Sequence, residues 1–231
     1  MFKSIFSYSL SFLFCVIIVL ITMQGMAQNP TGLWKVKGTN PQKGTYTGTL
    51  DIKKANADVY TLYWKIANGN EFGGLGMLKD NNFYVSWGQS IEYGIVVYKI
   101  LANGDLDGKW VSKSGYTNLI GEFAQKIDKN TNKISDLIGK YQVNGGIGKG
   151  AYSGTLTIKA GSNAGHFLFF WQIGNSVSNG VGFLNGNEIV VAWGYGESYG
   201  VVHYVMQGNN KAKGTWAIPS YHGILTEDIE K

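Results

Sequence analysis

The chain has 231 residues, a formal net charge of +5, 44% hydrophobic residues and 15% charged residues. Every basic residue is a lysine, and the lysines are scattered along the sequence. Because bidentate recognition of bases and phosphates favours arginine, the composition predicts no nucleic-acid partner.

The N-terminal segment has the pattern of a secretory signal peptide. Lys3 precedes an apolar run from Leu10 to Met23, and Gly25-Met26-Ala27 fits a small-x-small cleavage site. We therefore predict a signal peptide over residues 1–27 and an exported protein that is secreted, periplasmic or on the cell surface. The apolar run is shorter than the ~20 residues of a spanning helix, which argues against a retained anchor and against stable membrane insertion after cleavage. Cys15 is the only cysteine, so the mature chain would have neither disulfides nor thiolate chemistry.

The rest of the chain contains a long internal repeat. The pair Trp87-Gly88 and Tyr93-Gly94 recurs with the same spacing as Trp193-Gly194 and Tyr199-Gly200. Other matches are Gly32-Leu33-Trp34 with Gly139-Lys140-Tyr141, Gly44 to Leu50 with Gly150 to Leu156, and Gly108-Lys109-Trp110 with Gly214-Thr215-Trp216. The stretch between the copies is polar and without aromatic residues. We therefore predict domains at residues 28–125 and 138–231, joined by a polar linker over 126–137.

Within each copy, apolar residues alternate with polar ones, which is the pattern of half-buried strands. In the first copy the pattern predicts eight strands, near 33–38, 45–53, 58–66, 71–78, 82–88, 93–101, 105–112 and 117–125. The second copy predicts eight more. Because the connections are short, each strand should pair antiparallel with the one before it. Closing such a meander removes its edges, so we predict an all-β protein of two tandem eight-stranded up-and-down barrels. The alternative is a sandwich for each unit.

The fixed positions of the repeat resemble those of a known family. They read Gly-x-Trp/Tyr-x-Val, Gly-x-Tyr-x-Gly-x-Leu, Tyr-x-Leu-x-Trp-x-Ile, Trp-Gly, Tyr-Gly-x-Val-x-Tyr and Gly-x-Trp, over about residues 32–123 and 139–227. The pattern is similar to a bacterial exported repeat domain, some members of which carry the label fibronectin-binding protein. The opening Gly32-x-Trp34 is also similar to the calycin group of lipocalins and avidins, although the Asn-x-x-Gly-Ser continuation of avidins is absent. The resemblance implies calycin-like barrels and a binding role.

The inward-facing aromatic residues are the candidate binding residues. On the inner face of a barrel, Trp and Tyr can line a cavity for an apolar or aromatic ligand and donate hydrogen bonds to it. The alternative is that they fill the barrels as core. These residues are Trp34, Tyr46, Trp64, Trp87, Tyr98 and Trp110 in the first copy, and Tyr152, Trp171, Trp193, Tyr204 and Trp216 in the second.

The polar candidates form no catalytic or metal-binding constellation. His166, His203 and His222 occur only in the second copy and on separate strands or loops, so we predict no metal site and an exposed His203. Glu122 and Glu227 lie at matching places near the ends of the two copies, where each could accept hydrogen bonds across a barrel rim. They belong to different units and therefore do not make a catalytic pair. We predict neither an enzyme nor a cofactor.

These features predict a secreted or surface-associated, non-catalytic binding protein. The resemblance implies an adhesion module for extracellular proteins such as fibronectin. The aromatic inner faces favour an alternative, a calycin-like carrier of a small apolar or aromatic ligand inside the barrel. Segments 89–92 and 195–198 differ between the copies while their flanks match, so they are where the two units would diverge in binding.

Overall fold

The computed structural model describes residues 28–115, 118–127, 137–146, 148–161 and 165–231. The predicted signal peptide and most of the predicted linker lie outside these residues. Single turns of 3-10 helix occur at Lys113–Gly115 and Gly148–Gly150. The strands are β1 (Gly32–Thr39), β2 (Thr45–Lys54), β3 (Tyr60–Ile66), β4 (Glu71–Lys79), β5 (Asn82–Gly88), β6 (Tyr93–Ile100), β7 (Leu106–Ser112), β8 (Ile120–Lys126), β9 (Gly139–Gly145), β10 (Tyr152–Ala160), β11 (His166–Ile173), β12 (Ser176–Asn185), β13 (Glu188–Gly194), β14 (Tyr199–Met206), β15 (Lys211–Ala217) and β16 (Leu225–Glu230).

The strands close into two antiparallel barrels of eight strands each, which confirms the predicted fold class. One barrel contains β6 to β13 in chain order and closes where β13 pairs with β6. We call it the inserted barrel. The other contains β1 to β5 together with β14 to β16, and we call it the split barrel. It closes where β5 pairs with β14 and where β1 pairs with β16.

The chain is divided between the barrels differently from the prediction of one barrel per repeat copy. Residues 28–125 and 138–231 do not form separate barrels, because β5 pairs with β14 instead of β6. In addition, β8 pairs with β9 across the predicted linker, so that segment joins two strands of one barrel. The physical reason is that β14 repeats the pattern of β6 and therefore fits equally well beside β5. The first copy thus supplies five strands to the split barrel and three to the inserted barrel.

Alternate side chains fill each barrel and close one of its ends. Trp34 is fully buried, and its Nε1 donates a hydrogen bond to the carbonyl oxygen of Pro30 at 2.7 Å. Tyr141 occupies the equivalent place in the inserted barrel and donates from its hydroxyl to the carbonyl oxygen of Leu137 at 2.8 Å. In both barrels, the segment that leads into the first strand of the copy thus caps the closed end.

The barrels share a buried apolar interface made by the outer faces of their strands. The split barrel contributes Val59, Leu75, Met77, Tyr84, Tyr199, Val201 and Ala217, and the inserted barrel contributes Tyr93, Ile95, Val111, Val181, Phe183, Val190 and Ala192. Beside this apolar interface, a cluster of polar side chains also connects the two barrels. The Tyr84 hydroxyl donates to Glu188 at 2.9 Å and accepts from Asn185 at 2.8 Å, while Lys79 forms an ion pair with Glu188.

The chain passes between the barrels twice, through the two segments that differ between the copies. The backbone N–H of Gln89 donates to the carbonyl oxygen of Ser198 at 3.0 Å, so the crossings lie side by side. Tyr93 covers Gly88 so closely that a Cβ there would come within 2.6 Å of its ring. The repeated Trp-Gly and Tyr-Gly pairs therefore flank the junction between the barrels.

Candidate functional site

The split barrel contains an aromatic cavity of about 270 Å³. Three tryptophans, Trp64, Trp87 and Trp216, form much of its wall. The other lining residues are Asn40, Pro41, Gln42, Tyr46, Ile66, Asn68, Asn70, Phe72, Val202, Ile218 and Glu227. The capping residue Trp34 is not among them, so the cavity is not at the closed end of the barrel.

A buried carboxylate lies in the wall of this cavity. Glu227 is 4% exposed, and it accepts hydrogen bonds from Trp64 Nε1 at 3.0 Å and from the Tyr46 hydroxyl at 2.5 Å. The Tyr204 hydroxyl also donates to it. Glu227 thus accepts hydrogen bonds from three strands, β2, β3 and β14, as expected, but it does so from a buried position and not at the barrel rim.

The inserted barrel repeats the arrangement around a cavity of about 230 Å³. Glu122 accepts hydrogen bonds from Trp171 Nε1 at 3.1 Å and from the Tyr152 hydroxyl at 2.6 Å. The Tyr98 hydroxyl is again a third donor. The cavity is lined by Val96, Trp110, Glu122, Tyr152, Trp171, Ile173, Ser178 and Trp193. Each cavity therefore combines three tryptophans, a tyrosine and a glutamate, and each takes these residues from both repeat copies.

Glycines on neighbouring strands make room for the rings in the wall. A Cβ at Gly74 would lie 2.5 Å from Cζ3 of Trp64, and one at Gly180 would lie 2.7 Å from Cζ3 of Trp171. Real Cβ atoms do not approach other atoms so closely, so these indoles can pack against the neighbouring strand only because glycine occupies these two positions.

The two cavities differ at the rim. Phe72 faces Trp64 across β3 and β4, and its ring contacts Trp87 edge-on at 5.2 Å between centroids. The register places Ser178 opposite Trp171 at the same point of the inserted barrel. The split-barrel cavity also has four carboxamide side chains, Asn40, Gln42, Asn68 and Asn70, whereas none is found among the described residues lining the other cavity. Access to the two interiors is therefore controlled by different chemistry.

One polar atom of the split-barrel cavity lacks a partner. Trp216 is 9% exposed and lines the cavity, and its Nε1 is buried without a hydrogen bond to any described residue. A buried donor without an acceptor is costly, so an acceptor atom brought by a bound molecule would stabilise the site.

Burial is the main influence on the pKa values of Glu227 and of its two tyrosine donors. It raises the pKa of Glu227, although the hydrogen bonds from Tyr204, Tyr46 and Trp64 partly lower it. Burial, followed by the charge of Glu227, raises the pKa of Tyr46 and holds that of Tyr204 far above its usual value. The tyrosines therefore stay protonated and act as hydrogen-bond donors at any pH near neutrality.

The structure places the predicted aromatic residues in three roles. Those lining a cavity are Tyr46, Trp64, Trp87, Trp110, Tyr152, Trp171, Trp193 and Trp216. Tyr98 and Tyr204 are fully buried and hold the glutamates, and Trp34 caps the closed end. The predicted grouping by copy was wrong, because the strand exchange places Tyr98 and Trp110 in the inserted barrel and Tyr204 and Trp216 in the split barrel. Phe72 and the rim carboxamides were missed, since only the register shows that they face a cavity.

The histidines do not converge on one site. His203 is half-buried, not exposed as predicted, because its Nε2 lies 2.8 Å from Asn82 Oδ1 and its ring packs on Tyr84. Burial lowers the pKa of His203 and, together with the nearby His222, that of His166. Within the described ranges, no group of three His, Cys, Asp or Glu side chains could hold a metal ion.

Comparison of the chain with protein-family models, curated proteins and solved structures found no match in any of the three. The resemblances to an exported fibronectin-binding repeat and to the calycins therefore stay predictions. None of the helices in the described part of the chain is long and apolar enough to cross a membrane.

Proposed function

We propose that this is an exported, non-catalytic binding protein that takes one small organic ligand into the aromatic cavity of each barrel. The observation that carries the proposal is the duplication of a complete site. Three tryptophans, a tyrosine and a hydrogen-bonded glutamate surround a cavity in both barrels, although the contributing strands come from different copies.

The alternative interpretation, that these residues only fill the barrels, accounts less well for the space they leave. Cavities of about 270 and 230 Å³ approach the lower end of the ~300–1,000 Å³ that is typical of small-molecule sites. A side chain that only fills the barrel interior is expected to be apolar, because burying a carboxylate costs free energy unless the carboxylate is well paired or takes part in function. Both barrels nevertheless bury a glutamate in the cavity wall.

A different surface favours a second candidate, adhesion to an extracellular protein such as fibronectin. Ile91 is 91% exposed and Tyr195 is 53% exposed, and both lie on the crossing segments between the barrels. Exposed apolar and aromatic side chains are typical anchors of protein contacts. The two candidate functions therefore depend on different residues and can be separated by mutation.

Native mass spectrometry of residues 28–231, together with binding to immobilised fibronectin over a salt titration, tests both candidates. For the small-ligand function we expect an additional mass that leaves on denaturation. The Trp87→Ala/Trp193→Ala variant should lose that mass, and the Ile91→Ala/Tyr195→Ala variant should keep it. For adhesion we expect saturable, salt-resistant fibronectin binding with the opposite response to the two variants. A bare mass with no small molecule bound across a ligand screen would contradict the small-ligand proposal.

A further inference from the structure

The glutamate in each cavity has hydrogen-bond donors but no cation. Its donors are two tyrosine hydroxyls and one indole N–H, all of them neutral groups. The ion pairs among the described residues include neither Glu122 nor Glu227. A buried carboxylate is normally paired with a positive charge, so an ionised Glu122 or Glu227 would lack a cationic partner among the described residues.

Glu227 also keeps capacity for one more donor. Trp64 and Tyr204 donate to Oε1, whereas only Tyr46 donates to Oε2. A carboxylate offers about four lone-pair positions, so Oε2 can accept from an N–H or O–H group of a bound molecule. The inserted barrel divides its donors in the same way, with Trp171 and Tyr98 on Oε1 of Glu122 and Tyr152 on Oε2.

The walls around the carboxylate form an aromatic box. In the split barrel, Trp216 contacts Tyr46 and Trp87 with ring centroids 6.4 Å apart in both pairs, at interplanar angles of 74° and 68°. In the inserted barrel, Trp110 and Trp193 meet at 6.2 Å and 74°. Rings at such steep angles form adjacent walls of the cavity that they line. Because aromatic ring faces are negative, they attract a cation that has shed its water.

We propose that the ligand of each cavity is an organic ammonium ion, held by the tryptophan faces and neutralised by Glu227 or Glu122. This inference rests on the proposed function and specifies its ligand class. A neutral ligand of the same shape would fill the box but leave the carboxylate unpaired. The apolar walls exclude a hydrated metal ion, whereas an ammonium ion with a small apolar body matches both parts of the site.

The charge pairing makes binding depend on pH. The groups that face the Glu227 carboxylate are Tyr46, Trp64 and Tyr204, and the tyrosines remain neutral because burial raises their pKa values. Since burial raises the pKa of Glu227 itself, part of the free protein carries a protonated glutamate in mildly acidic solution. A cation favours the ionised form, so its affinity should rise with pH through the titration of Glu227 and level off above it.

Choline and its neutral carbon isostere, 3,3-dimethyl-1-butanol, have nearly the same shape and differ in charge. Comparing their affinities therefore measures the contribution of the positive charge to binding. Titrations of the full mature chain, followed calorimetrically and by tryptophan fluorescence at acidic and neutral pH, should show two choline sites. Each should bind choline about tenfold or more tightly than the isostere. Glu227→Gln should weaken one site, and Glu122→Gln the other, by a similar factor. Glu230→Gln, which removes an exposed carboxylate from the same strand as Glu227, should change neither.

Each outcome decides the inference. If the isostere binds as tightly as choline, or if the Gln variants bind choline like the wild type, the inference is overturned while the small-ligand function stands. If neither probe binds at millimolar concentration, the inference is overturned, and the additional mass in native spectra alone decides the proposed function. Circular dichroism of each Gln variant shows whether it is folded. A variant that does not fold is replaced by Trp87→Leu or Trp193→Leu, which removes an aromatic face and should weaken choline more than the isostere.

Discussion

The two cavities share an interior but differ at their rims. Inside, the glutamate with its Trp and two Tyr donors is matched residue for residue, and the bond lengths to Glu122 and Glu227 agree closely. At the rim, Phe72 corresponds to Ser178, and carboxamides surround only the split-barrel cavity. Under the proposed function, the shared interior would recognise the same chemical group in both barrels, while the different rims would admit different molecules. Substitutions at matched positions of the two barrels test how far this likeness extends.

Removing the tryptophan that contacts the glutamate should damage each barrel equally. Trp64 is 3% exposed and Trp171 is 7% exposed, and each donates to its glutamate. We expect Trp64→Ala and Trp171→Ala each to lower the free energy of unfolding by roughly 3–5 kcal/mol, measured by chemical denaturation. Tyr195→Ala, at an exposed position, should change it by at most about 0.5 kcal/mol. A loss below about 1 kcal/mol for either tryptophan would contradict its placement in the core.

Adding one methyl group next to Tyr204 or Tyr98 should test whether the two barrel interiors are equally closely packed. A Cβ at Gly214 would lie 2.4 Å from the carbonyl oxygen of Glu227 and 2.6 Å from Tyr204 Cδ1. One at Gly108 would lie 2.5 Å from Tyr98 Cδ1 and 3.2 Å from the carbonyl oxygen of Glu122. We expect Gly214→Ala and Gly108→Ala each to cost about 1–3 kcal/mol in thermal or chemical melts. The control is Gly121→Ala, because a Cβ there would meet no atom within 4 Å. Equal stability of all three variants would show that the tyrosines and the neighbouring strand backbone have room to move.

Exchanging the rim residues should make the cavities more alike. Phe72→Ser removes an edge-on contact with Trp87 and should cost about 1 kcal/mol of stability. It should also lower choline affinity at the split-barrel site several-fold, whereas Ser178→Phe should raise it at the inserted-barrel site. Calorimetry that resolves the two sites measures both effects. Unchanged affinities would mean that the rim takes no part in holding the ligand.

The ionisation of the buried carboxylate should be visible in the pH dependence of stability. Because burial raises the pKa of Glu227 above its ordinary 4.5, the folded state holds the proton more tightly than the unfolded state. The stabilising contribution of protonated Glu227 is full below that value and is lost as the pH rises through the raised pKa. Relative to Glu227→Gln, the wild type should therefore become less stable from about pH 4.5 upward. A difference that stays constant between pH 4 and 8 would refute the raised pKa.

The sequence predicted the strands well because their alternating pattern is strong and local. Predicted strand ends differ from the observed ones by at most three residues in the first copy, the largest shift being the start of β8 at Ile120. Closure into eight-stranded barrels followed from short connections and the need to cover edges.

The strand exchange could not be predicted, because the repeat makes the two arrangements equivalent at the junction. Trp87 pairs with Gly200 in the structure, and it would pair with Gly94 if β5 and β6 formed a hairpin. Both partners are the glycine of a Tyr-Gly pair, so the local pattern is identical. The composition of each cavity depends on this choice, so the sequence alone could not assign the candidate aromatic residues to their barrels.

The strands of the inserted barrel lie in the sequence between β5 and β14 of the split barrel, and this order determines which barrel can form first during synthesis. Residues 93–194 contain every strand of the inserted barrel, so its cavity can be complete before β14 is synthesised. Until then, β1 and β5 present open edges that invite pairing with other chains. The last three strands close both edges and bring Tyr204, Trp216 and Glu227 together. A chain that stops after β13 would thus keep the cavity of the inserted barrel and expose a five-stranded sheet with open edges where the split barrel would have closed.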